Sequence, residues 1–356
     1  MRVVWKNSRL TMKSHNVKEL KNFGIYIFFD FLVSQNTEFS FLKIFTDYLI
    51  ILYRRILLKD VTIHCPVCLQ LHYWKNGHEG RKYQPKVQKY ICPYCGKQFC
   101  ENTFTPFYYY KYPVFLILGA VWLKGRRGYN ILQIKEYCIF VYLIKLFVPC
   151  YHTIARWIKK FGILLVKGSH KFKLEACRWK PWQFDEMYSS RILPSKKGKY
   201  VKNGKKQIGR VGIKDPVTQL CFMESTKEQN NKTLNNVFLR AKTRFNQTPR
   251  TAVSDGHLGY VPIFDNETTK HKVVCHNQEF KNKQGYHTNN IENHWSQTRA
   301  WERHARGFKA FETHSFYTKF NEAMYNFFRP NLKIRGLTPA QKAGVKEKLG
   351  LLSMIL

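Results

Sequence analysis

Three carboxylates stand in settings where chemistry is the first thing to test. Asp185 lies inside the apolar run Trp182-Gln-Phe-Asp-Glu-Met187. Asp255 ends Thr251-Ala-Val-Ser-Asp-Gly256, where a strand meets a glycine turn, and Glu292 opens a helical stretch in Thr288-Asn-Asn-Ile-Glu-Asn-His-Trp295. A carboxylate buried on a strand is costly unless it is paired or bound to a metal. Three that converge can hold two Mg²⁺ (or Mn²⁺) ions. Such a pair activates an attacking oxygen and stabilises the leaving oxygen during in-line attack on phosphorus. Taken one at a time, each acid is more often a cap or a salt-bridge partner. Glu186 and Glu302 are rivals for the same role, although strand alternation places Glu186 on the opposite face from Asp185.

The helix that would carry Glu292 supports a phosphate-facing role. Glu292, Ser296, Arg299, Arg303 and Arg306 fall on one stripe at steps of four and three, while Ile291 and Trp295 point to the core. An acid at the metal end of a basic stripe suits a helix that crosses a phosphate backbone.

A second constellation is made of cysteines. Four of the ten form two tight pairs, Cys65-Pro-Val-Cys68 and Cys92-Pro-Tyr-Cys95, separated by 23 residues. A two-residue gap lets both thiolates of a knuckle face one metal, and two knuckles complete a tetrahedral site for one structural Zn²⁺. The other six, Cys100, Cys138, Cys150, Cys177, Cys221 and Cys275, follow no spacing pattern. With no secretory-type leader at the N-terminus, free thiols in a reducing interior are expected rather than disulfides.

Charge points to the partner. The 356 residues carry 60 Lys and Arg against 23 Asp and Glu, a net of +37, spread along the whole chain. Solubility needs far less; an excess of this size suits a polyanion, with nucleic acid ahead of an anionic membrane surface. No apolar run is long enough to span a bilayer. An apolar share of 44% argues against a disordered chain. One helix concentrates the basic signal. After Pro149, Ile154, Ile158, Phe161 and Leu165 recur at helical spacing for burial, and His152, Arg156, Lys159 and Lys160 recur on the other side. That side is either a solvated face or a recognition surface for a DNA groove; behind a zinc ribbon in so basic a chain, we favour DNA.

These pieces need a scaffold. Residues 1–60 read as a helical N-terminal region of unknown role, 61–108 as the zinc ribbon, and 109–170 as a helix-turn-helix domain. Residues 178–330 read as the catalytic domain and 331–356 as a C-terminal tail. Within the catalytic span, Trp182–Met187 is a strand. Gln207–Lys214 and Thr218–Glu224 form a hairpin across Asp215-Pro216. Residues 231–245 are helical, Thr251–Asp255 and His271–His276 are short strands, and Thr288–Arg306 and Phe311–Phe328 are helices. The expected class is α/β, a mixed sheet flanked by helices. Ser190–Lys206 is an insertion with seven basic residues and no acid.

The stretches WQFDEM, AVSDGHLGY, TNNIENHWSQTRAWERHARGFK and MYNFFRPNLKIRGLTPAQKAGV resemble the DDE transposases of prokaryotic insertion sequences, a branch of the retroviral-integrase-like superfamily. The resemblance covers residues 61–345 in patches, with the last carboxylate motif and the tail its most specific parts. It implies an RNase H-like fold with Asp185 on the central strand, Asp255 at the end of an adjacent strand and Glu292 on a following helix. It also implies Mg²⁺-dependent cleavage and strand transfer on double-stranded DNA. The zinc ribbon and helix-turn-helix would bind the terminal inverted repeats, and a homodimer or larger assembly would bring two ends together. The implied location is cytoplasmic and nucleoid-associated, or nuclear in a eukaryotic host. The long 190–206 insertion departs from the pattern, and residues 1–60 match nothing in it. Rival readings are a catalytically inactive or domesticated sequence-specific DNA-binding protein, and an RNase H-like nuclease or resolvase.

Overall fold

The computed structural model describes residues 63–355, apart from 82–83, 101–102, 104, 109, 113, 143–148, 190–207, 266–268, 275–283, 306–307, 309 and 347–353. The chain divides after residue 59 into two units, and all described residues belong to the second. The expected N-terminal helices, the 190–206 insertion, Arg306 and Cys275 lie outside the described residues.

A small antiparallel sheet comes first, β1 (Trp74–Arg81), β2 (Gln84–Ile91) and β3 (Gln98–Cys100), in that order. Its core is Cys65, Tyr90, Cys92 and Phe99, with Tyr73 edge-on to Tyr90 at 4.8 Å. Helices follow: α1 (Val114–Trp122), which runs into a π-helical turn at Leu123–Arg127, then α2 (Ile131–Tyr142) and α3 (Tyr151–Ser169). The apolar stripe Ile154, Ile158, Phe161 and Leu165 of α3 is buried as its periodicity demands, together with Trp157.

The main sheet has five strands. β4 (Trp182–Tyr188), β5 (Gly209–Lys214) and β6 (Cys221–Thr226) pair antiparallel; β7 (Thr251–Ser254) lies parallel beside β4, and β8 (Lys270–Val273) parallel beside β7. The spatial order is β6-β5-β4-β7-β8, so β4 is central. Between β6 and β7 runs α4 (Asn231–Phe245), bounded by the Asn230 side chain accepting from the Thr233 N–H and by Asn246 in the left-handed region. A short turn Leu258–Tyr260 and helix α5 (Val261–Asp265) follow β7. The chain ends with α6 (Asn289–Ala305), α7 (Phe311–Phe328), the turn Leu332–Ile334 and α8 (Pro339–Lys342), the last opened by a Thr338/Gln341 capping box. This is the expected α/β class, a mixed sheet flanked by helices and preceded by a small antiparallel sheet bearing the cysteines.

Helices cover both faces of the sheet. On one, Phe184 packs edge-on against Phe238 of α4, Tyr260 and Phe264. On the other, Met187 joins Ile291 and Trp295 of α6 and Tyr325 of α7. The free edge of β6 is closed by side chains of α7. Asn326 accepts from the Cys221 N–H (3.0 Å) and donates to the Cys221 carbonyl (2.7 Å), Glu322 accepts from the Met223 N–H (2.8 Å), and Ser225 bonds Thr318 (2.9 Å) and His314 (2.7 Å). Helix steps of four thus match strand steps of two, and buried edge groups that water cannot reach find partners.

Gly212 of β5 sits opposite Asp185, and a Cβ there would come within 2.4 Å of the Trp295 ring. The missing side chain lets α6 lie directly on the sheet. Gly212→Val is therefore expected to lower stability by about 2 kcal/mol or more through overpacking. Urea denaturation checks this, and an unchanged midpoint would mean that Trp295 is not pinned there.

Candidate active site

Asp185 is on the central strand, Asp255 is the residue after β7 on the adjacent strand, and Glu292 is in the first turn of α6. One side chain fixes α6 to the strand. Gln183, on the same face of β4 as Asp185, accepts from the N–H groups of Asn290 (3.0 Å) and Ile291 (3.1 Å) through its Oε1. It thereby caps the start of the helix that bears Glu292. Thr288 donates to Glu292 Oε1 at 2.5 Å and holds that carboxylate toward the helix start.

Carboxylate oxygens of Asp185, Glu186 and Asp255 lie within 4.8 Å of one another, a spacing that could hold a metal ion. Glu292 falls outside this cluster, yet its charge still acts on Asp185. Alternation sets Glu186 on the opposite face from Asp185, yet their carboxylate oxygens lie close together. The pleat does send their Cβ atoms to opposite faces, but Asp185 turns along the strand so that its Oδ1 accepts the Glu186 N–H at 2.8 Å, and the two carboxylates meet near the Asp255 end of the sheet. Burial first, and then the negative charge of Asp255, push the Asp185 carboxyl up to about 7, with Glu186 and Glu292 adding to the rise and the Glu186 N–H opposing it. Burial also raises Glu186, against the influence of the Tyr260 phenol and His257. Tyr260 is 1% exposed, and its hydroxyl oxygen shares a side-chain hydrogen bond with a Glu186 carboxylate oxygen. Both atoms belong to this corner of the molecule, and burial and Glu186 push the phenol well above its ordinary pKa, so it stays a donor. Carboxylate oxygens gathered this way are a donor set that fits a hard divalent cation.

Glu302, the other rival, has a different task. It forms an ion pair with Arg210 in which both side chains are 1% exposed, and Arg210 also donates to Thr318 at 2.6 Å. Asp215 accepts from the backbone of Cys177, Val217 and Thr218 and shapes the β5–β6 turn.

The four cysteines expected to bind zinc are together. Cys65 and Cys95 sulfurs lie 3.4 Å apart, as do those of Cys68 and Cys92, and all four fall within 4.8 Å. No disulfide joins them. A tetrahedron of sulfurs at about 2.3 Å from zinc has edges of about 3.8 Å, close to these separations. Each knuckle repeats one backbone pattern: the Leu69 N–H bonds the Cys65 carbonyl and the Gly96 N–H the Cys92 carbonyl, with both residues at positive φ. The residues present fit Zn²⁺.

Of the expected DNA-facing residues, His152, Arg156 and Lys159 are exposed on α3. Lys160 is exposed too, but its ammonium donates to the Pro106 carbonyl at 3.1 Å and lies over the Tyr110 ring. Ser296, Arg299 and Arg303 are exposed on α6. Sequence reasoning missed Tyr260 and Gln183 and set Glu186 aside. The adjacency of Asp185 and Glu186, and a tyrosine five residues beyond Asp255, were the available signals.

The Asp185 shift has a pH signature. Between about pH 4 and 7 the folded chain keeps a proton that the unfolded chain releases, so this group costs stability as pH rises through that window. The full cost, on the order of 2–4 kcal/mol, is present above about pH 7. Metal-free Asp185→Asn is expected to melt higher than the parent at pH 8 and equally at pH 4, in thermal melts at both values. For the cysteine site, metal analysis is expected to find one zinc per chain, and Cys92→Ser to lose it along with the fold of residues 63–100.

No protein-family model and no curated protein matches the sequence. Solved structures do show similarity. The HTLV-2 integrase catalytic core domain in complex with magnesium, in its trimeric form, aligns at 12% identity and TM-score 0.32, over 48% of this chain and 99% of that one. The catalytic core domain of BIV integrase aligns at 12% identity and TM-score 0.32, over 47% of this chain and 93% of that one. The dimeric form of the HTLV-2 domain aligns at 12% identity and TM-score 0.30, over 49% and 99%.

Proposed function

We propose that the protein is a DNA transposase that cuts phosphodiester bonds at the ends of a mobile element and joins the freed ends to target DNA. The observation that carries this reading is the convergence of Asp185 and Asp255 on two neighbouring strands, beside a helix whose first turn carries Glu292 and which continues with exposed Ser296, Arg299 and Arg303. Asp185, Asp255 and Glu292 would hold Mg²⁺ or Mn²⁺, which supplies charge neutralisation and an activated oxygen for attack on phosphorus when bound. The exposed arginines of α6 would grip phosphates on either side of the scissile bond and fix the strand in line. Exposed His152, Arg156 and Lys159 on α3 would contact the inverted repeats, braced by the zinc-bound ribbon at residues 61–108. Water would attack first, releasing a 3′-hydroxyl. That hydroxyl would then displace a 3′-oxygen in the target strand, forming one P–O bond as another breaks, with no covalent bond to the protein.

Two ends must be joined, so the active form would be a dimer or larger assembly. Among the described residues no helix is long and apolar enough to cross a membrane. The deciding assay is strand transfer of terminal-repeat DNA in Mg²⁺. Asp185→Asn, Asp255→Asn and Glu292→Gln are each expected to lower the rate by at least about 10³-fold, on the scale of other charge-stabilising groups, while duplex binding persists. Retained joining by Asp185→Asn would refute the assignment.

A further inference from the structure

We infer that Trp179, Arg178, Arg250 and Lys270 form a platform for single-stranded nucleic acid, on which an unpaired base stacks against the indole while the three cations hold the adjoining phosphates. The inference goes beyond the function proposed above and does not depend on the carboxylates.

Three observations carry it. First, the platform is aromatic and open. Trp179 is 65% exposed, so a large flat ring is left in water. The Arg250 guanidinium carbon lies 3.5 Å from the ring centroid and that of Arg178 5.8 Å from it. A guanidinium against the indole is favourable in itself and holds the ring in place, while most of the residue's surface stays accessible.

Second, the backbone beneath it is pinned. The Arg250 N–H donates to the Arg178 carbonyl at 3.1 Å, and the Lys270 N–H to the Arg250 carbonyl at 2.9 Å, which ties three segments into one row. Asp215 accepts from the Cys177 N–H at 2.7 Å, and the Trp182 indole N–H donates to the Cys177 carbonyl at 2.9 Å. With the chain on either side of Trp179 already fixed, little ordering is left for a ligand to induce.

Third, the charge around the ring is of one sign. Arg178, Arg250 and Lys270 are exposed, and among the described residues none of them forms an ion pair. Cations beside an open indole match a strand that alternates phosphates with flat bases. In a duplex the base faces are hidden inside the stack, so the form with a face to offer is an unpaired strand. The row lies where β4, β7 and β8 begin, whereas Asp255 follows the end of β7, about 16 Å from Arg250 along an extended strand. The platform is thus separate from the carboxylates and would hold a strand away from any bond cut there.

The test is fluorescence anisotropy of a labelled oligothymidylate titrated with the full-length, zinc-loaded chain without Mg²⁺, at about 0.2 M salt, where purely ionic contacts are largely lost. Trp179→Ala is expected to weaken binding at least about tenfold, and Trp179→Phe, which keeps a ring, to stay within about threefold of the parent. A duplex of the same length should bind Trp179→Ala as it binds the parent. Arg178→Ala should lower the slope of log affinity against log salt by about 0.7, the mark of one phosphate contact on a single strand. Parent-like affinity for the oligothymidylate in Trp179→Ala, or an equal loss on duplex, overturns the inference. If Trp179→Ala melts below the parent, an unchanged salt slope in Arg178→Ala overturns it instead. Strand transfer by Asp185→Asn tests the proposed function separately, because the titration involves no cleavage.

Discussion

Gln183 holds the two halves of the candidate site in register. Its side-chain oxygen accepts two N–H groups at the start of α6 while its backbone sits in the central strand, two residues before Asp185. The N–H groups at a helix start have no partner inside the helix, and burying them unmet would be expensive. Satisfying them from the strand fixes the position of Glu292 relative to Asp185. The carboxylates themselves cannot do this, because they repel. Gly212 completes the arrangement by leaving room for Trp295 against the neighbouring strand.

Exposed basic side chains on α3 and α6 face solvent, where phosphates can reach them. Three buried acids each have a specific reason to be there: Glu302 balances Arg210, Glu322 bonds the β6 edge, and Asp215 closes a turn. Asp185 and Glu186 are the exception, since burial and mutual repulsion both work against their ionised forms. That mismatch marks a place where the protein gives up stability.

Much of the scaffold was legible because local signals agreed with the tertiary structure. Helix α4 occupies the stretch its pattern predicts, since Asn230 and Asn246 bound it at both ends, and the Asp215-Pro216 turn predicted the β5–β6 hairpin. The paired cysteines meet as their spacing requires. What escaped was long-range or conformational. Alternation governs where a Cβ points, not where a flexible carboxylate ends, so Glu186 was set aside. Gln183 and Asn290 are 107 residues apart, and nothing periodic links them. The stripe His314, Thr318, Glu322 and Asn326 would pass for a solvent-facing surface in any hydropathy pattern, because edge-strand amides and water ask for the same side chains.

With β6 sealed along its outer margin by α7, the sheet can be extended on one side only. The remaining margin is β8, whose Lys270 and Lys272 place two cationic groups within its four residues. Two copies meeting there would bring like charges face to face, which discourages fibre-like stacking of a very basic protein at high local concentration. Among the described residues, the charge on β8 therefore disfavours strand addition to the five-stranded sheet.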